Sequence, residues 1–152
     1  HTFYFEGNHV METYINHIEI LQNPQWRDGL QNYTLRSGAR ISKKLLDHEH
    51  PQYLMPTDDG YCDQFLQNIK HKLQATGTLI PEYIKPTLHI TSDFKPHKYN
   101  IPKADELIEM KTASFSFSLD APREWHHALY YAGAGEECSL GLGWAERLLT
   151  ND

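Results

Sequence analysis

The stretch Gly133-Ala134-Gly135-Glu136-Glu137-Cys138-Ser139-Leu140-Gly141-Leu142-Gly143 constrains this chain more than any other, because it sets four glycines in two Gly-x-Gly pairs with five residues between them. Glycine enters the left-handed backbone region without penalty and admits a second backbone at close range, so the loop is shaped to hold something against its amides. An anion suits such amides, either the phosphate of a nucleotide or that of a nucleic-acid backbone. A nucleotide-binding Walker loop ends in Gly-Lys-Ser/Thr and opens a helix. Here Gly143 runs into Trp144-Ala145-Glu146-Arg147-Leu148-Leu149, which removes the nucleotide reading. The plainer alternative is a tight helix-to-strand turn, for which four glycines exceed what a short loop needs.

Charge narrows what the loop can serve. With 14 Lys and Arg against 20 Asp and Glu the formal charge is −6, so any nucleic-acid site must be a local basic patch. Arg36, Arg40, Lys43 and Lys44 fall within nine residues, in and just beyond an extended run from Tyr33 to Ile41. Such a run also reads as a strand edge kept charged against aggregation. Cys62 and Cys138 make neither a disulfide framework nor a zinc motif, and His48-Glu49-His50 lacks a third ligand and reads as exposed loop. No metal and no small-molecule cofactor is expected. No apolar run reaches membrane length and no signal-peptide pattern opens the chain, so no membrane partner is expected and the default compartment is the cytoplasm. The 152 residues suit a single domain, and the start at His1 suggests a processed product, a tag remnant or a piece of something longer.

Periodicity supplies the order of elements. Met11 to Leu21 reads as a leading strand, with Ile18 and Ile20 on one face and Ile15 and Leu21 on the other. Asn23-Pro24 breaks it, and Tyr33–Ile41 forms the next strand. Thr57 is a candidate cap for a helix whose stripe is Tyr61, Cys62, Phe65, Leu66, Ile69 and Leu73, with Gly77 as terminator. A strand follows over Thr87–Phe94, and another where Ala113, Phe115, Phe117 and Leu119 alternate with serines. Asp120-Ala121-Pro122 opens a short helix through Trp125, Ala128 and Leu129, and Leu140, Leu142 and Trp144 start the last strand. The fold class is therefore α+β, a ferredoxin-like (RRM-like) β-α-β-β-α-β domain over residues 1–152, with an antiparallel sheet and an extra leading strand. The aromatic sheet signature of ordinary RNA-recognition motifs is absent.

Four matches in order carry a resemblance. They are Thr34-Leu35-Arg36-Ser37, then Tyr53-Leu54-Met55-Pro56-Thr57-Asp58, then Phe65-Leu66-Gln67-Asn68-Ile69-Lys70-His71-Lys72, then the glycine loop behind its short helix. Together they resemble the C-terminal half of the CRISPR repeat-processing endoribonucleases of the RAMP superfamily. The resemblance implies two ferredoxin-like domains in tandem, of which this is the second. It implies binding of the repeat stem-loop of precursor CRISPR RNA and metal-independent cleavage that leaves a cyclic phosphate, with other CRISPR-associated proteins as further partners. The implied RNA-binding residues are Gly133, Gly135, Gly141 and Gly143 with Arg36, Ser37, Arg40, Lys43, Lys44, Lys70 and Lys72. The loop departs from the family in carrying Glu136 and Glu137 where a basic residue is frequent, and Leu142 where an aromatic is common.

Metal-independent cleavage requires a base for the ribose 2′-hydroxyl and an acid for the leaving oxygen. His126, His127 and Tyr131, just ahead of the loop, are the candidates here. The alternative is that Tyr130 and one histidine pack between helix and sheet while the other is solvated. The resemblance places the usual general base in the first domain. A reading from a different class is a non-catalytic RNA-binding scaffold subunit of a CRISPR ribonucleoprotein.

Overall fold

The computed structural model describes residues 2–5, 9–12, 15–20 and 23–149. In chain order the strands and helices are β1 (Thr2–Phe5), β2 (His9–Glu12), β3 (Gly29–Leu35), β4 (Ser42–Lys43), β5 (Gln52–Tyr53), α1 (Tyr61–Ala75) and β6 (Thr87–Ile90). They continue with β7 (Lys95–Lys103), β8 (Glu106–Ser114), β9 (Ser116–Ala121), α2 (Arg123–Ala132) and β10 (Ala145–Leu148). The central sheet is antiparallel, in the order β10-β3-β9-β6. With α1 between β3 and β6, and α2 between β9 and β10, this is the ferredoxin-like arrangement.

Alternation decides which face of the sheet is covered. Tyr33 and Leu35 of β3 and Phe117, Leu119 and Ala121 of β9 are buried, and the register sets Tyr33 opposite Phe117 and Leu88 opposite Leu119. Against this face α1 lays Tyr61, Phe65, Ile69 and Leu73, one residue per turn, while α2 contributes Trp125, Ala128 and Leu129. Phe65 meets Phe117 with ring centroids 5.3 Å apart. Burial of each large ring contributes about 2 kcal/mol. Helix α1 closes with Thr78 N–H on the Leu73 carbonyl (3.1 Å) and Gly77 N–H on the Gln74 carbonyl (3.0 Å), a Schellman ending that makes Gly77 the terminator. The N-cap of helix α2 is Pro122, which offers no side-chain oxygen. Instead Asp28, distant in sequence, accepts the Arg123 N–H at 2.8 Å.

Several local expectations are corrected. Residues 15–20 of the expected leading strand have no regular structure and leave Ile15, Ile18 and Ile20 exposed, because alternation makes a strand only where an edge is present to pair with. Met11 belongs to β2, paired with β1; Leu21 lies outside the described residues. The Tyr33–Ile41 run ends at Leu35, turns through Arg36 and Ser37, and rejoins β8 by an Ala39–Ala113 bridge. Thr57 is not the cap of α1; the helix begins after Gly60, and Asp58 instead accepts the Met55 N–H at 2.7 Å. The strand expected to reach Phe94 stops at Ile90, and the serine-alternating run divides at buried Phe115 into β8 and β9. Helix α2 matches its expected span, but the last strand begins at Ala145, with Leu140 in a 3-10 turn over Cys138–Leu140. The long β7–β8 hairpin had no strand signature in sequence, since Pro96 and Pro102 interrupt β7 and charges crowd both strands.

Candidate nucleic-acid interface

The glycine loop is a clamp between α2 and β10. At Gly135 an added Cβ would come within 2.5 Å of the Arg40 carbonyl oxygen, and at Gly143 it would collide with the Ala134 carbonyl. These two positions require glycine because another backbone occupies the side-chain space. Gly133 is also crowded, with Cys138 Sγ 2.9 Å from such a Cβ. Gly141 differs: its φ is +84°, and nothing lies within 4 Å of a Cβ built there. The loop's glycines therefore divide into three that let it close and one that faces open space.

Most loop amides are engaged within the fold. Ala134 N–H donates to the Gly143 carbonyl (2.8 Å), Glu136 N–H to the Arg40 carbonyl (2.9 Å) and Gly143 N–H to the Gly38 carbonyl (3.0 Å). Gly133, Leu140 and Gly141 also donate internally. The expected grip on an anion by backbone amides is thus largely replaced by a grip on the protein itself. Loop carbonyls, in turn, converge on a cation. Lys72 Nζ donates to the carbonyls of Ala132 (3.2 Å), Gly133 (2.6 Å) and Gly135 (2.8 Å) and lies 3.4 Å from Cys138 Sγ. Lys72, expected to face RNA, is a tie between α1 and the carbonyl end of α2, where a positive charge complements the helix dipole.

The two acidic departures have a local explanation. Arg40 forms ion pairs with Glu136 (3.3 Å) and Glu137 (3.2 Å), and its guanidinium lies 5.2 Å from the centre of the Tyr53 ring. Glu136 also accepts from Ser42 Oγ at 2.7 Å. With only 16% of its side chain exposed, Arg40 is committed to holding the loop on the strand segment. Arg36 pairs with Glu146 at the surface, a contact of small energetic weight. Ser37 Oγ accepts the Trp144 N–H at 2.9 Å. The fold thus brings Arg36, Ser37, Arg40 and Lys72 together around the glycine loop. Lys43 and Lys44 are exposed just beyond, on and after β4, whereas Lys70 lines a separate cavity with Lys85 and Trp125.

The three catalytic candidates occupy different environments. His126 is fully buried: Tyr33 Oη donates to its Nδ1 at 2.8 Å, and its Nε2–H donates to the Gly29 carbonyl at 2.8 Å. Burial holds its pKa below the ordinary histidine value and pushes the Tyr33 hydroxyl above its own. His126 is corrected from a catalytic candidate to a core histidine, since both ring nitrogens are engaged and no substrate can reach them. His127 and Tyr131 are exposed and pack with their rings tilted at 44° and centroids 4.6 Å apart, with Trp26 edge-on to both. Tyr130 packs 5.1 Å from Trp26. One histidine in and one out is the arrangement the sequence offered as its alternative.

Sequence reasoning missed the β7–β8 arm beside the loop. Ile101 and Met110 of this hairpin and Leu140 of the 3-10 turn line a cavity of about 330 Å³ that also reaches Arg40 and Tyr53. Only the long-range pairing of two proline- and charge-containing strands creates it. Among the described residues no group of three or more His, Cys, Asp and Glu could hold a metal ion, and no helix is long and apolar enough to cross a membrane.

The family described as "CRISPR associated protein Cas6, C-terminal" matches residues 31–147. A solved structure reported as "Characterization of a Cas6-related gene from Pyrococcus furiosus" superposes with a TM-score of 0.68 at 18% identity, covering 84% of this chain and 51% of that one. A second, "CRISPR associated protein Cas6", gives 0.68 at 18% identity, covering 86% and 52%. A third, "An RAMP protein binding different RNA substrates", gives 0.67 at 17% identity, covering 87% and 52%. At such identities the likeness shows a shared fold, and this chain spans about half the length of each. No curated protein matches the sequence.

Proposed function

The chain belongs to the Cas6 C-terminal family of RAMP-type CRISPR-associated proteins, and on that premise we propose that it is the second ferredoxin-like half of a metal-independent endoribonuclease acting on CRISPR repeat RNA. The observation that carries this reading is the junction of the glycine loop with the Arg36–Arg40 segment. Carbonyls of Gly38 and Arg40 accept amides of Gly143 and Glu136, so loop and basic segment form one preorganised surface with exposed Lys43 and Lys44 at its margin. In a chain of charge −6 this is where a phosphate backbone is best tolerated. The structure reported for an RAMP protein binding different RNA substrates supports an RNA partner.

In the proposed reaction a base takes the proton of a ribose 2′-hydroxyl and the freed oxygen bonds to the adjacent phosphorus. The bond from phosphorus to the 5′ oxygen breaks, an acid protonates that oxygen, and a cyclic phosphate remains. This half holds the RNA backbone in register, a contribution from positioning, while the preceding half supplies the base. His127 and Tyr131 are the accessible proton-transfer groups on this side. A second reading, a scaffold that holds RNA without cutting it, draws support from the withdrawal of His126 into the core.

The test incubates the chain with a repeat stem-loop RNA in the presence of EDTA and follows both retention and scission. Retention at low salt without site-specific cutting is expected. Absence of retention at every salt concentration overturns the reading, and clean cutting at one phosphate would relocate the active site to this half.

A further inference from the structure

We propose that Trp144 and Tyr131 form a stacking clip for unpaired nucleobases of the bound RNA. The inference rests on the reading above and assigns the clip to nucleotides flanking the stem, because bases inside a stem are already stacked on one another. Trp144 is 63% exposed and Tyr131 53% exposed, and both line a groove of about 300 Å³. Gly141 lines the same groove, and the open space beside it leaves room for a flat ring.

Both platforms are anchored. The Trp144 backbone donates to Ser37 Oγ (2.9 Å) and accepts the Arg36 N–H (2.8 Å), so the strand edge is fixed while the indole stays in solvent. Tyr131 is braced by His127 (4.6 Å) and Tyr130 (5.0 Å), and its hydroxyl donates to Asn23 at 3.4 Å. Behind them the Arg147 guanidinium lies 5.3 Å from the centre of the Trp26 ring. The Tyr131 ring, ordered before binding, loses little entropy on contact. Beside Trp144, the Arg36 guanidinium is 55% exposed and held by a surface pair with Glu146, which a phosphate can replace.

Charge selects the ligand class. A protein of charge −6 gains little from long-range attraction to RNA, so affinity must include contacts that do not depend on charge. Base–aromatic stacking is such a contact and tolerates any sequence.

The test titrates the protein with a short oligouridylate and, separately, with a blunt RNA duplex. Trp144→Ala and Tyr131→Ala should each weaken oligouridylate binding about tenfold. The salt dependence should keep its slope, since no phosphate contact is removed. Duplex binding should be unchanged, oligouridylate should quench tryptophan emission, and Trp144→Phe should retain affinity while losing most of the quench. Parental affinity for oligouridylate in both alanine variants overturns the clip. So does an equal loss for both RNAs, or a change in sedimenting mass in Trp144→Ala, which would assign the patch to a protein contact. A parent that binds the duplex but not oligouridylate overturns the clip alone, whereas a parent that binds neither RNA overturns the RNA-binding reading with it.

Discussion

Lys72 Nζ on α1 lies 2.6 Å from the carbonyl oxygen of Gly133, the residue that follows α2, so one ammonium group joins the two helices and the glycine loop. The same group satisfies the Ala132 and Gly135 carbonyls. Lys72→Met keeps an unbranched chain out to the ε position and removes the ammonium donors. It is expected to cost about 2 kcal/mol. Urea unfolding should show a lower midpoint with an unchanged slope; an unchanged midpoint would mean that water replaces the lysine at no cost.

The loop glycines should separate by energy. Gly143→Ala places a methyl group against the Ala134 carbonyl and should cost about 3 kcal/mol or more, combining overpacking with a left-handed backbone. Gly141→Ala meets nothing within 4 Å and should cost only about 1 kcal/mol. Thermal unfolding of the two variants tests the ranking. Bulk at Gly141 should still weaken RNA retention, and equal retention by a folded Gly141→Val would remove Gly141 from the RNA-facing surface.

His126 makes stability depend on pH. Its pKa is lowered by burial, so between that lowered value and the ordinary histidine value of about 6.5 the unfolded chain binds more protons than the folded one. The contribution is intact above about pH 6.5 and is lost as pH falls through the window below it. Unfolding temperatures measured from pH 7.5 to pH 5 should decline on the acid side, and less so in His126→Gln. A parallel decline in both would assign the effect to other groups.

Arginine and lysine on the same segment should behave differently. Lys43→Glu and Lys44→Glu alter exposed groups and should flatten the salt dependence of RNA binding by about one unit each if each meets a phosphate. Arg40→Ala leaves Glu136 and Glu137 without their cation and should lower stability before it alters the salt slope. A salt slope that changes for Arg40→Ala at constant stability would reverse that assignment.

On the proposed reading of this chain as half of a repeat-RNA endoribonuclease, cleavage by the whole enzyme should proceed in EDTA, as expected for proton transfer alone. Loss of cleavage on chelation, restored by magnesium, would contradict it.

Much of the architecture is legible in sequence. The stripe from Tyr61 to Leu73 and the alternation of Phe117 and Leu119 with serines are periodic signals that survive without tertiary context. The loop announces itself because closing it demands glycine at Gly135 and Gly143, a requirement read directly from residue type. What stays hidden depends on partners distant in sequence. Arg40 reads as a free cation until Glu136 and Glu137 are brought to it, and Lys72 reads as an RNA-facing cation until α2 ends beside it. His126 and His127 are indistinguishable as neighbours in a sequence; a helical rotation of one residue puts the first against Tyr33 and leaves the second in water.

The pairing of β3 with β10, which sets Leu35 opposite Ala145, has a consequence for the chain as it is synthesised. An early strand waits for a late one, and until β10 emerges from the ribosome the edge of β3 is an unpaired template open to any neighbouring nascent chain. Closure of the loop waits on the same event, because the bonds that fix it, Ala134 N–H to the Gly143 carbonyl and Gly143 N–H to the Gly38 carbonyl, need Gly143 to be in place. The sheet and the surface built on it are therefore completed in one step. A nascent chain arrested before β10 lacks both the fourth strand and the closed loop.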